Sequence, residues 1–329
     1  MSHHAFRLAA AAAFAASAMA AIAPAASAQP TGFPCKLVKF VVPYPPGGSS
    51  DLLARMLVPG VAQSLGTTIV VENRAGAVGN IGTAQVAGAE PDGCTWLMGN
   101  STNVVISRNL YKLARDPVEY LAPVAEVAAV PMVLYVNASV PANTFQEFVE
   151  LLRRNPGKYS YATPGSGSTH QLLSELMRNE FALSFTHVPY KGSGPAIQDV
   201  IAGHVHFAFE GTSAIAPHIA SGKVRALATT GALRSTSIPN IPTFKEMGHG
   251  KFVVTNWYGV FVPAKTPEAL VHRMNAALRQ SMKAPDMAAS LAKLDSQAGD
   301  HGAAQFATAV RGEIPYWRNL VTTTGVTVD

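Results

Sequence analysis

Charge is scarce in this sequence. Of its 329 residues, 14% are Asp, Glu, Lys or Arg, against ~25% in an ordinary soluble domain. No run of five or six basic residues occurs, and the formal net charge is only +5. That leaves no basic footprint for a phosphate backbone, so nucleic acid is excluded as a partner. Cysteine is scarcer still: only Cys35 and Cys94 are present, with no C-x-x-C pair. Thioredoxin-like redox chemistry and a cysteine zinc site are therefore unsupported. G-x-G-x-x-G and G-x-x-x-x-G-K-[ST] are both missing, which removes the usual nucleotide-phosphate cradles. Neither a metal nor a cofactor is expected. What is abundant is apolar residues, at 48%, with 27 Gly and 23 Pro. Such a composition excludes disorder and points to a folded chain with many ordered turns.

The N-terminus carries one fixed side-chain charge, Arg7, before an Ala-rich apolar stretch at residues 8–23 and the small-x-small triplet Ala26-Ser27-Ala28. That order predicts a secretory signal peptide over residues 1–28, cleaved near Ala28. A membrane anchor is the other reading, but Pro24 interrupts the run and Ala is only weakly lipophilic. The expectation is an exported, periplasmic protein.

The remaining chain alternates short apolar strands with helices, as a parallel α/β sheet requires. Strands are predicted at residues 37–42, 68–72, 94–98, 132–136, 159–162, 205–209, 225–229 and 256–262. A helix is expected after Gly48, a second opening at residues 76–82, others over residues 144–155 and from 169 to about 181, and a further one after the loop Lys191-Gly192-Ser193-Gly194-Pro195. The stretch from Thr266 is mainly helical, with Pro267 at a first helical position. Because Cys35 and Cys94 each start a strand, and those strands can lie side by side, a disulfide is expected in an oxidising compartment. Two buried free thiols are the alternative.

Two loops have the form of anion sites. Pro45-Pro46-Gly47-Gly48-Ser49-Ser50-Asp51 offers backbone N–H groups free of bulky side chains, with Ser49 or Ser50 available as a helix cap. Thr163-Pro164-Gly165-Ser166-Gly167-Ser168-Thr169-His170-Gln171 does the same, and Ser168 with Gln171 fits a capping box. Free N–H groups at the positive end of a helix dipole favour anions; ordinary capped turns are the bland reading. Ser168 and His170 also supply two residue types of a hydrolase triad, although the G-x-S-x-G frame is missing.

Several segments carry a resemblance to a known family. They are Val41-Val42-Pro43-Tyr44-Pro45-Pro46-Gly47-Gly48-Ser49-Ser50-Asp51, Val71-Glu72-Asn73-Arg74-Ala75-Gly76 with Gly79-Asn80-Ile81-Gly82, Pro91-Asp92-Gly93, Val188-Pro189-Tyr190-Lys191-Gly192, Pro217-His218-Ile219 and Trp257-Tyr258-Gly259. Together they resemble the Bug-type periplasmic receptors of tripartite tricarboxylate transporters. This implies the type II periplasmic-binding-protein fold, two α/β lobes joined by crossover strands with a ligand cleft between them. Lobe 1 would comprise residues 29–130 plus about 255–329, and lobe 2 about 131–254. Cys94 stands where the family commonly has Tyr, and His206 and Glu210 where acidic residues are usual.

The resemblance further implies a receptor, not an enzyme, that takes a small organic carboxylate and delivers it to membrane permease subunits as a monomer. Tyr44, Pro46, Gly47, Gly48, Ser49 and Asp51 would hold one end of the ligand. Ser166, Ser168, Thr169 and His170 would close over the other. Asn100, Ser101, Lys191, Glu210 and Trp257 are further cleft candidates. A secreted serine hydrolase using Ser168 and His170 is the alternative function.

Overall fold

Apolar strands such as Leu-Val-Lys-Phe-Val-Val can be buried on both faces only inside a layered α/β structure. In the computed structural model, which describes residues 32–293, 297–299 and 301–328, that segment is the strand β1 (Leu37–Val42). Val38, Phe40, Val41 and Val42 are all at most 1% exposed. The expected signal peptide lies outside the described residues.

Chain reversal over helix α1 (Ser49–Leu65) brings β2 (Thr68–Asn73) alongside β1 in parallel, Leu37 facing Thr68. After helix α2 (Asn80–Ala87), strand β3 (Thr95–Asn100) pairs on the other side of β1, again in parallel, with Lys39 facing Thr95. The Lys39 N–H bonds the Cys94 carbonyl at 2.9 Å, so the two strands enter the sheet together. Cys35 and Cys94 thus sit at the same end, Cα to Cα 5.6 Å, and they form the expected disulfide.

Strand β4 (Leu121–Asn137) is 17 residues long and carries the chain from one lobe to the other. Its first part pairs antiparallel with β9 (Thr255–Pro263), from Leu121 facing Pro263 to Pro131 facing Thr255. Its second part pairs antiparallel with β7 (Phe207–Gly211) and β8 (Val224–Thr229). The sequence places a strand only at residues 132–136, because Pro123 and Pro131 interrupt the pattern and proline forfeits a ladder donor. The register shifts at Pro123/Ala125 and Glu126/Ala128 accommodate the irregular first part. The second connection between lobes runs back from β8, where Thr230 N–H bonds Met132 O at 2.8 Å and Val254 N–H bonds Thr230 O at 3.1 Å.

The second lobe adds β5 (Ser160–Thr163) and β6 (Thr186–Pro189), parallel to each other, with β5 parallel to β7 as well. Helices α4 (Phe145–Arg154), α5 (Thr169–Phe181), α6 (Ser193–Ala202) and α7 (Thr212–Ala220) connect them; α3 (Pro117–Tyr120) is a single turn before β4. Helix α4 begins one residue later than its sequence suggests, because Thr144 is its cap: Thr144 Oγ1 accepts the Glu147 N–H, and the apolar face buries Phe145, Phe148, Val149 and Leu152. Two more expectations shift by a residue. Pro267 precedes α8 (Glu268–Lys283) as its cap and is not its first helical residue. Helix α1 is capped by the extended backbone of Gly48, with no side-chain cap, so Ser49 is already helical.

Candidate functional site

The carboxyl ends of β1, β3, β5, β6 and β7 all point to one place, where open α/β sheets bind ligands. Helices α1, α5 and α6 begin there at Gly48, Ser168 and Gly192, while α7 begins at Gly211 behind Ser49, whose Oγ lies 2.6 Å from Ser213 Oγ. The first N–H groups of a helix have no carbonyl one turn back, so each start presents donors and a partial positive charge. Between them lies a narrow space, walled by Tyr44, Pro45, Gly48, Ser49, Ser50 and Asn100 from one lobe and by Pro164, Ser168, His170 and Ser193 from the other. A wider opening of about 1210 Å³ adjoins it, bordered by residues including Val78, Tyr111, Ser166, Tyr190 and Lys191. Among the described residues, no lysine or arginine walls the inner cavity.

The loop after β1 is held from behind. Asp51 Oδ2 accepts the Gly47 N–H at 3.1 Å, while Oδ1 accepts from Arg55 at 3.0 Å and Asn73 at 2.9 Å. Burial opposes ionisation of Asp51, but these bonds outweigh it and lower the pKa. Asp51 therefore shapes the loop and has its oxygens committed. Gly47, at φ +92°, needs glycine for the turn. Gly48 sits at φ −88°, a backbone any residue adopts, so what its missing side chain leaves is room and not a relief of strain.

Asn100 ends β3 as a turn cap. Its Oδ1 accepts from the Thr102 N–H at 2.9 Å and from Tyr44 Oη at 3.2 Å. Burial raises the Tyr44 phenol far above its usual range, so it remains a donor. The Ser101 hydroxyl is buried without a partner.

In the second lobe, Ser168 Oγ accepts the Gln171 N–H at 3.4 Å and donates to Gly165 O at 2.8 Å. The capping box is altered: Gln171 Oε1 accepts from Gly167 N, not from Ser168 N. His170 turns Nε2 toward Glu210 Oε1 at 3.3 Å, and the Gly211 N–H donates to the same oxygen at 2.9 Å. Burial alone would raise the Glu210 carboxyl; the His170 charge, with bonds from His170, Ser193 and Gly211, outweighs it and holds the group below its ordinary value. Ser168 thus bonds Gly165 and Gln171 while His170 faces Glu210, which is not a nucleophile with its base. The hydrolase alternative is set aside on that geometry.

Tyr44, Gly48, Ser49, Asn100, Ser168 and His170 meet at the inner cavity, and Ser166 and Lys191 border the wider opening. Asp51, Ser101, Thr169 and Glu210 are buried behind the walls, whereas Pro46 and Gly47 are exposed and line neither space. Thr169 Oγ1 lies 3.0 Å from Thr102 Oγ1 across the cleft. Trp257 is the exception. Its indole N–H donates to Glu313 at 2.8 Å and its ring packs on Phe306, inside the core. Strand alternation puts its neighbours Asn256 and Tyr258 on the cleft side instead. The sequence reading also missed Val78 and Ser193. Val78, at φ +55°, follows Ala77 at φ +45°, a left-handed turn that no side-chain pattern announces. Ser193 directly follows the segment Val188-Pro189-Tyr190-Lys191-Gly192, so the neighbouring glycine was the available signal.

Residues 53–326 match the family described as "Tripartite tricarboxylate transporter family receptor". The protein BugT of Bordetella pertussis is 33% identical over 89% of this chain and 90% of its own. Among solved structures, the periplasmic binding protein BugD superposes with TM-score 0.85 at 31% identity, covering 90% of this chain and 99% of that one. MatC from Rhodopseudomonas palustris with bound malate gives 0.84 at 30%, covering 88% and 100%. A further R. palustris protein with adipate gives 0.86 at 29%, covering 90% and 99%.

The chain belongs to the tripartite tricarboxylate transporter receptor family and has its two-lobed periplasmic-binding-protein fold. It is a Bug-type solute receptor, not an enzyme. No helix among the described residues is long and apolar enough to cross a membrane.

Proposed function

We propose that this protein, exported to the periplasm and cleaved near Ala28, holds a small organic carboxylate in its interlobe cleft as a monomer and passes it to the permease subunits of a tripartite tricarboxylate-type transporter. The lobes are residues 29–130 with about 255–329, and about 131–254. The observation that carries the reading is the convergence of three helix starts, those of α1, α5 and α6, on a cavity that, among the described residues, no lysine or arginine walls. Backbone N–H groups hold an anion there without offering it a reactive partner. Tyr44, Pro46, Gly47, Gly48 and Ser49 take one end of the ligand; Ser166, Ser168, Thr169 and His170 take the other. Malate in one similar structure and adipate in another support dicarboxylates as the first class to test.

Native mass spectrometry of protein purified from the periplasm without unfolding tests this. A retained adduct with the mass of a di- or hydroxycarboxylate is expected, on a chain beginning at Gln29. A uniformly unliganded chain that also fails to take up malate, succinate or adipate would overturn the reading.

A further inference from the structure

Among the described residues, two buried side chains that wall the inner cavity keep a polar atom without a partner, His170 and Asn256. Asn256 is the simpler of the two, because its amide does not titrate. It is 2% exposed. Its Nδ2 donates to Tyr258 Oη at 3.0 Å, and its Oδ1 has no hydrogen-bond partner in the protein. A tyrosine hydroxyl both donates and accepts, so the amide turned end for end keeps that bond and presents its NH2 in place of its carbonyl. In either orientation one end of the amide is left over. Asn100, the other amide of the cavity wall, differs. Its Oδ1 accepts from the Thr102 N–H and from Tyr44, and its Nδ2 donates to Ser50 Oγ at 3.4 Å.

The position of Asn256 explains why the protein offers no partner. It stands on β9 opposite Val130 of β4, in the pair of strands that passes between the lobes. The hydroxyls of the facing walls are engaged elsewhere: Ser49 with Ser213 at 2.6 Å, and Ser168 with Gly165 and Gln171. An unmet polar group in the interior raises the free energy of the unliganded protein, and a ligand that meets it removes that cost.

We propose that Asn256 hydrogen-bonds the bound carboxylate ligand directly, so that the strand shared by the lobes reads the ligand beside the two helix-start loops. The inference rests on the carboxylate-receptor reading and adds a residue to it. Tyr258 is a positioning residue, whose hydroxyl holds one end of the amide. The free end meets a carboxylate oxygen through its NH2, or a hydroxyl substituent, which suits either end.

Calorimetric titration of wild type, Asn256→Ala and Asn256→Asp with succinate, malate and adipate at neutral pH tests the proposal, beside thermal melts of each unliganded protein. Asn256→Ala is expected to lose about tenfold or more in affinity for at least one of the acids, the scale of one buried hydrogen bond. Its unliganded melting temperature is expected to change little, because removing the orphan offsets losing the Tyr258 bond. Equal losses for malate and succinate place the amide on a carboxylate; a loss confined to malate places it on the hydroxyl. Asn256→Asp keeps the shape and still accepts from Tyr258. Against a carboxylate its charge is expected to bind more weakly than Asn256→Ala; against a hydroxyl it accepts a bond and restores malate affinity. Affinities in Asn256→Ala within about threefold of wild type for every acid bound, whatever the melting temperature does, overturn this inference and leave the receptor reading standing. So does a loss by one common factor for all acids in both variants, which marks a structural role. Failure of every acid to bind the wild type overturns both.

Discussion

Ser49 Oγ of the first lobe lies 2.6 Å from Ser213 Oγ of the second, and both residues are at most 3% exposed. The first turns of α1 and α7 are therefore hydrogen-bonded directly across the cleft. Thr102 and Thr169 repeat the arrangement at 3.0 Å, and Tyr111 Oη donates to Ser166 O at 2.7 Å. Gly192, at φ +124°, approaches so closely that a Cβ there would lie 2.6 Å from Pro45 Cδ. These contacts hold the lobes closed. Small residues and glycine at the seam are what lets them meet.

Closure at Ser49 and Ser213 has a measurable worth. Replacing either serine by alanine strands one buried hydroxyl, at a cost of ~1–3 kcal/mol, whereas replacing both removes the orphan. Ser49→Ala and Ser213→Ala should each weaken ligand binding, and the double variant should bind less weakly than the two losses summed. Calorimetric titration in a double-mutant cycle checks this; strict additivity would deny the contact.

Gly48→Val and Ser168→Ala should separate binding from folding. The Gly48 backbone is extended and its Cβ would meet Ser193 Cβ at an ordinary 3.4 Å, so valine fits the chain but fills the cavity. Binding should be lost with little change in melting temperature. Ser168→Ala removes a helix cap, at ~1 kcal/mol of stability, and lowers affinity as well. Thermal melts and titrations of both variants distinguish them.

The disulfide should dominate stability among local features. Closing a 59-residue separation is worth roughly 4 kcal/mol in the chain-entropy model. Reduction, or Cys35→Ala with Cys94→Ala, should lower the denaturation midpoint accordingly. Thiol titration of the unfolded, unreduced protein should find no free thiol.

Acid sensitivity should trace in part to His187. Burial, with the nearby Arg178 charge, lowers its pKa to about 4, below the ordinary ~6.5 of an unfolded chain. The unfolded chain then binds the extra proton first, so stability falls as the pH drops from about 6.5 toward about 4 and is fully present above that window. Thr163 Oγ1 lies 2.6 Å from His187 Nε2 and holds the ring in place. His187→Asn should flatten the pH dependence of the melting temperature across that window, and an unchanged slope would contradict the assignment.

Much of this was legible in the sequence, for identifiable reasons. Helix α5 is legible at residues 169–181 because Ser168 and Gln171 mark its start by local chemistry. The disulfide followed from two cysteines at the starts of neighbouring strands. Strand β4 was cut short because Pro123 and Pro131 contradict local propensity while long-range pairing overrides it. Trp257 was assigned to the cleft and faces the core, since a period-two strand exchanges faces with a single residue's shift. The His170–Glu210 couple joins residues forty positions apart, which only the folded chain brings together.

The central claim is that the cleft recognises the negative charge of a carboxylate through helix N-termini. A thermal-shift series of mono-, di- and tricarboxylates beside their amides tests it most directly. For an acid present at ~100 Kd, an apparent stabilisation of about 2.7 kcal/mol is expected, and its amide, lacking the charge, should give little. Amides that raise the melting temperature as much as their acids would contradict the account.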